Sequence, residues 1–168
     1  MKKILLFASL ALTINAFAQN CVIADYRFNG DANDISGNGN HGVVNGATLT
    51  TDRFGNPNSA YSFNGTSDYI DLPNGTNTNL NVIGEIGISF WIKTGLSSAT
   101  TIISCGDNVT AGGDGYLISS SLPPSPSTIA YHSTSWDYGT TVINDNIWHN
   151  IIITENADAL WIFVDGML

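Results

Sequence analysis

The sequence predicts an all-β protein, on three observations. Apolar residues nowhere recur with the 3.6-residue period of an amphipathic helix. From residue 24 onward, β-branched and aromatic residues alternate with polar ones. Clusters of Gly, Asn, Asp and Pro separate these runs at intervals that suit tight turns.

Fold reasoning begins after residue 18. Residues 1–18 read as a secretory signal peptide, with Lys2 and Lys3 as the charged start, residues 4–14 as the apolar core and Ala16-Phe17-Ala18 as the cleavage site. The apolar run is too short to span a bilayer stably, so membrane insertion is not expected. Asn20 before Cys21 argues against a lipidated cysteine, which needs a small residue in front of it. The remainder has the size of one all-β domain. It keeps Arg27, Arg53 and Lys93 against 14 acidic residues, a balance that excludes nucleic acid and disfavours an anionic membrane surface. Acidity in an exported chain favours solubility over a cation-binding role.

Export also places Cys21 and Cys105 where disulfides persist. Pairing them would close a long loop worth roughly 4 kcal/mol on a chain-entropy argument. Free buried thiols, or partners elsewhere, are the alternative.

Taken in order, residues 22–29 read as the first strand, 30–42 as a loop and 43–49 as a short strand. Residues 50–58 form a turn-rich connection. Residues 60–63 and 68–72 read as a hairpin around Asn64-Gly65, a dipeptide suited to positive φ. After the polar loop 73–81 comes the clearest strand, 85–94. It carries Ile86, Ile88, Phe90 and Ile92 on one face and Gly87, Ser89, Trp91 and Lys93 on the other. Strands follow at 100–105 and 116–121. Three prolines make residues 122–127 a loop. Further strands are expected at 128–133, 148–154 and 160–164, with Trp136-Asp137-Tyr138 in a loop. Asp165-Gly166 marks a tight hairpin whose returning strand begins at Met167 and Leu168, so the domain is expected to continue past the last residue.

With these pieces in order, the chain resembles the laminin G-like branch of the concanavalin A-like jelly-roll superfamily, as found in secreted and surface proteins of Bacteroidetes-type bacteria. The resemblance is carried by YRFNG at 26–30, DISGNGNHG at 34–42, YSFNG at 61–65 with DYI at 68–70, ISFWIK at 88–93, WHNIIIT at 148–154 and IFVDG at 162–166. It covers nearly all of residues 19–168 and lacks the closing strands of the family. It implies a two-sheet antiparallel jelly-roll sandwich, C-terminally incomplete, a fold shared by lectins, adhesive modules and some glycosidases.

The loop from Asp31 to Asn40 offers several oxygen donors, as a hard cation requires, and the resemblance strengthens the case for a structural calcium. Asp34 is the first candidate ligand, followed by Asn33, Asn38 and Asn40. It is not an EF-hand, because Ile35 and Gly42 stand where oxygen ligands would be required. The alternative is an Asx-rich turn whose side chains satisfy backbone groups without metal. His41, His132 and His149 lie far apart without metal-ligand spacing, and His149 reads as a strand residue with a local hydrogen bond.

Sugar recognition uses an aromatic face flanked by hydrogen-bonding side chains. Trp136, Asp137 and Tyr138 form the most suggestive group, with Trp91 and Trp161 also available, although packing alone accounts for aromatics in a sandwich. Catalysis is not expected. The only glutamates, Glu85 and Glu155, form no paired arrangement, and Asp68 and Asp71 point to opposite faces of a strand. Neither a GxSxG elbow nor a phosphate loop occurs. The function expected is a secreted, noncatalytic module that binds glycan or a surface protein. A structural spacer or adhesin repeat, and an accessory domain of a glycoside hydrolase, are the alternatives.

Overall fold

A computed structural model describes residues 22–73, 80, 82, 84–106, 115–122 and 125–168, and the side chains of 121–127 are not among those described. The expected signal peptide and Cys21, and with Cys21 the expected disulfide to Cys105, lie outside the described residues.

All regular structure among the described residues is β. The strands are β1 (Val43–Asn45), β2 (Thr48–Thr50), β3 (Ala60–Ser62), β4 (Tyr69–Asp71), β5 (Ile86–Lys93), β6 (Thr100–Cys105), β7 (Tyr116–Leu122), β8 (Ser125–His132), β9 (Trp136–Tyr138), β10 (Trp148–Glu155) and β11 (Leu160–Val164). Every pairing between them is antiparallel. A four-stranded sheet runs β6-β7-β8-β9 and a three-stranded sheet runs β11-β10-β5. Two short ladders, β1-β4 and β2-β3, accompany them. No helix among the described residues is long and apolar enough to cross a membrane.

The two larger sheets face each other across one apolar core, which makes the architecture a β-sandwich. Ile118, Ile129 and Tyr131 come from the four-stranded sheet, Ile151, Ile153 and Val164 from the three-stranded one, and Ile143 from the connection between β9 and β10. Each is at most 2% exposed, and burying side chains of this size is worth about 2 kcal/mol apiece. The alternation expected in β5 is present: Ile88, Phe90 and Ile92 pack on the core while Gly87, Ser89, Trp91 and Lys93 are exposed. Glu155 ties the sheets at one end. Its two oxygens accept the Tyr131 and Ser133 hydroxyls, each at 2.6 Å.

Several expectations need correction. Residues 22–29 do not form a strand; they make only a single bridge, Tyr26 to Asp34, because the backbone there bonds to the loop behind it. The strand expected over 43–49 is two strands broken at Gly46, whose φ of +79° brings its backbone against Asp68 so closely that a Cβ would collide with that carboxylate. The break sends β1 to β4 and β2 to β3, so the hairpin expected around Asn64-Gly65 is a turn without a ladder between its arms. Asn64 Oδ1 caps that turn by accepting the N–H groups of Thr66, Ser67 and Asp68. Strand β8 begins inside the proline-rich segment, at Ser125. Pro126 is tolerated because β9 pairs with Ala130–His132, leaving no ladder partner on that side among the described residues. Trp136–Tyr138 is a strand, not a loop.

The tight turn at Asp165-Gly166 is present. Both residues have positive φ, 53° and 79°, and Val164 and Met167 exchange two backbone hydrogen bonds across it.

Candidate functional site

The loop behind Tyr26 is organised by one carboxylate. Asp34 is 5% exposed, and each of its oxygens accepts two hydrogen bonds. Oδ1 takes the Asp25 and Ser36 N–H groups at 3.0 and 2.8 Å; Oδ2 takes the Ser36 hydroxyl and the Asn40 N–H at 2.9 and 3.0 Å. Burial by itself would raise this carboxyl, but the donors from Asp25, Ser36 and Asn40 outweigh it and hold the group far below the usual range. The nitrogens of the neighbouring amides are engaged as well. Asn38 Nδ2 donates to the Val22 and Ile23 carbonyls, Asn40 Nδ2 to the Ile23 carbonyl, and Asn33 Nδ2 to Asp31.

Asp34, the first ligand expected for calcium, meets four hydrogen-bond donors in this arrangement, two at each oxygen. The loop has the geometry of the Asx-rich turn. It also sets the aromatic motif in front of it: Tyr26 donates its hydroxyl to the Asn40 carbonyl, and its ring stacks on Phe28 at 6.1 Å. Phe28, at a φ of 57°, in turn meets Tyr61 edge-on at 5.4 Å. Burial, then the Asp34 charge, push the Tyr26 phenol up to about 12.

A second polar cluster closes the end of β10. The His149 side chain is 5% exposed and lies between two carboxylates, with Nδ1 2.7 Å from Asp165 and Nε2 3.1 Å from Asp145. Both ring nitrogens face acceptors, so the doubly protonated ring suits the site. Burial opposes that charge, but hydrogen bonds and charge from Asp165 and Asp145 prevail and raise the imidazole. Asp165 Oδ1 also accepts the Asn150 N–H, which ties the turn after β11 to β10.

The third candidate is the face of the four-stranded sheet turned away from Ile118, Ile129 and Tyr131, half-exposed at β9 and buried further in at Ala130 and Ser119. Side chains alternate along β9, so Trp136 and Tyr138 share a face, their rings stacked at 6.4 Å with 22° between planes. Register places Tyr138 opposite Ala130 and Trp136 opposite His132, whose ring lies 4.7 Å from the Trp136 ring. One strand further in, Ser119 pairs with Ala130. The row thus runs from two small buried residues, Ser119 and Ala130, to the half-exposed aromatics of β9. Two of its polar atoms, Ser119 Oγ and His132 Nδ1, are fully shielded from solvent and have no hydrogen-bond partner among the described residues. Each such group costs about 1–3 kcal/mol.

The structure brings Trp136 and Tyr138 together as the sequence suggested and separates the rest of the group. Asp137 points to the opposite face, opposite Tyr131 in register, and borders an open seam with Leu160, Trp161 and Ile162. Trp91 stands on the other sheet, its ring under the Arg53 guanidinium. Neither Ser119 nor His132 is marked by the sequence as a neighbour of this group, and His132 stands there as an isolated histidine. The signal for His132 is its place in β8, where Ile129 and Tyr131 take the core and leave Ala130 and His132 the outer face.

No family model matches the chain, and neither a curated protein nor a solved structure matches it.

Proposed function

We propose that this is a noncatalytic glycan-binding module of the laminin G-like kind, an exported jelly-roll sandwich that holds a sugar against the Trp136 and Tyr138 rings. The observation that carries the reading is the half-exposed Trp136–Tyr138 stack on β9, with Tyr138 also lining the open seam that holds Asp137 and Trp161. A pyranose offers both complements: an apolar face for the rings and hydroxyls that both donate and accept. Asp137, exposed in the seam that Tyr138 also lines, would accept from a sugar hydroxyl. The four bonds filling Asp34 support reading its loop as a hydrogen-bonded clasp on the segment that carries Tyr26.

Affinity electrophoresis through a panel of neutral polysaccharides tests it. Retardation by one of them should be lost in Trp136→Ala, at least about 30-fold weaker if the ring is a binding hot spot, with the melt nearly unchanged. Asp137→Ala should weaken it less. If no polysaccharide retards the protein and Trp136→Ala lowers the melting temperature instead, the rings are packing residues and the domain is a spacer.

A further inference from the structure

Among the described residues the cations are Arg27, Arg53 and Lys93. Arg27 has a carboxylate, Asp25, at 3.6 Å. Arg53 and Lys93 form no ion pair among the described residues, and both border Trp91. The Arg53 guanidinium carbon lies 4.4 Å from the Trp91 ring centroid and 4.2 Å from that of Phe54. Lys93 follows Trp91 by two residues in β5, so the ammonium rises from the same outer face about 7 Å along the strand. Asn150 is opposite Trp91 in register.

The loop carrying Arg53 is built to stay still. Asp52 Oδ1 accepts the N–H groups of Phe54 and Asn56, its Oδ2 accepts the Asn56 amide, and its backbone closes the turn with Gly55 and Asn56. The adjacent acid is therefore turned into the loop and does not form an ion pair with Arg53. On this fixed loop Phe54 is 73% exposed, and Trp91 beside it 43%. Rings over the guanidinium leave its edge, with the N–H donors, facing outward.

We propose that Arg53, Phe54, Trp91 and Lys93 form a subsite for a sugar bearing a carboxylate. The guanidinium edge takes the carboxylate in two parallel N–H···O bonds, Lys93 adds a second positive charge, and the sugar ring packs on the exposed indole or phenyl face. An acidic peptide satisfies the cations but brings no apolar ring face for the two aromatics. The acidity of the rest of the chain sharpens the choice, since an anion meets repulsion elsewhere and attraction here. This site lies on the sheet opposite to Trp136 and does not depend on the reading of that face.

Calorimetric titration of the full chain with tetragalacturonate and with its methyl ester tests the proposal. The acid should bind, more weakly as salt rises, and the ester about tenfold or more weaker. Arg53→Met should lose the same factor, Lys93→Met a smaller one, and Trp136→Ala none; the two cation replacements sit on the surface, and unchanged melts verify their folding. No binding of the acid, equal binding of acid and ester, or indifference to both Arg53→Met and Lys93→Met would overturn the subsite. Equally tight binding of hexa-aspartate through the same residues would overturn its assignment to a sugar. Loss of neutral-polysaccharide binding in Trp136→Ala with tetragalacturonate binding intact would separate the two sites.

Discussion

Replacing Asp34 by Asn changes one oxygen to an NH2 group and removes the charge, with almost no change in shape. Whichever oxygen is replaced, two donors lose their acceptor. The less costly choice puts the NH2 at Oδ2, where the Ser36 hydroxyl can turn to accept from it, but the buried Asn40 N–H is then left facing another donor. A stranded buried donor costs about 1–3 kcal/mol, and a bond to a charged acceptor is worth about 1.5–3 kcal/mol, so the substitution should cost about 3–5 kcal/mol in all. For a domain of this size that is a fall in melting temperature of about 6–20 °C. Scanning calorimetry of the native chain and Asp34→Asn, each with calcium and with EDTA, is the assay. The melt of the native chain should ignore the chelator. A fall of less than about 2 °C in the variant would refute the reasoning, and so would a native chain that EDTA alone destabilises as much as the substitution does, because a cation would then be holding the loop.

The His149 cluster makes stability depend on pH. The imidazole is raised above its ordinary 6.5, so its contribution is complete below that pH and is lost as pH rises through the folded value. Asp145 and Asp165 are held below their ordinary 3.8, Asp145 chiefly by the Ile147 N–H and Asp165 chiefly by the Asn150 N–H, so their contributions are present above that value and are lost as pH falls through the folded ones. The melting temperature should therefore be highest between these limits and decline on the alkaline side, and His149→Leu should flatten that alkaline decline; parallel curves for the two proteins would sink the idea. Gly46→Ala should lower the melt by more than Gly55→Ala. Both positions have positive φ, worth about 1–2 kcal/mol against a side chain, but only at Gly46 does the new Cβ strike another group, Asp68; equal losses would contradict the collision.

What was legible in the sequence is what neighbouring residues decide among themselves. Strand β5 declares itself because eight residues alternate without interruption, and Asp165-Gly166 because a two-residue turn with positive φ at both positions accepts few other residues. What was hidden depends on partners distant in the chain. Residues 22–29 look like a strand, but the Asp25 N–H and carbonyl are taken by Asp34 and Ile35. Trp136-Asp137-Tyr138 sits among Ser, Thr and Gly and looks like a loop; only the register with β8 makes it a strand. The same contrast divides the binding face. Aromatics advertise themselves by type, whereas Ser119 is one serine among many until strand pairing brings it into the row that holds Ala130 and Tyr138. Phe54 and Arg53 gain meaning only once their loop is seen to lie on Trp91.

Strand order also sets the order of assembly. β6, β7, β8 and β9 pair in the order in which they follow along the chain, so this sheet can form as a meander between sequence neighbours. β5 pairs with β10, across the whole of that meander, and must wait until four later strands have been made before its hydrogen bonds are met. During that interval Ile88, Phe90 and Ile92 face water in a strand already patterned for a sheet. In a crowded solution of partly folded chains, β5 is the segment that a second molecule would reach first, and the lag between β5 and β10 becomes the period in which refolding competes with aggregation.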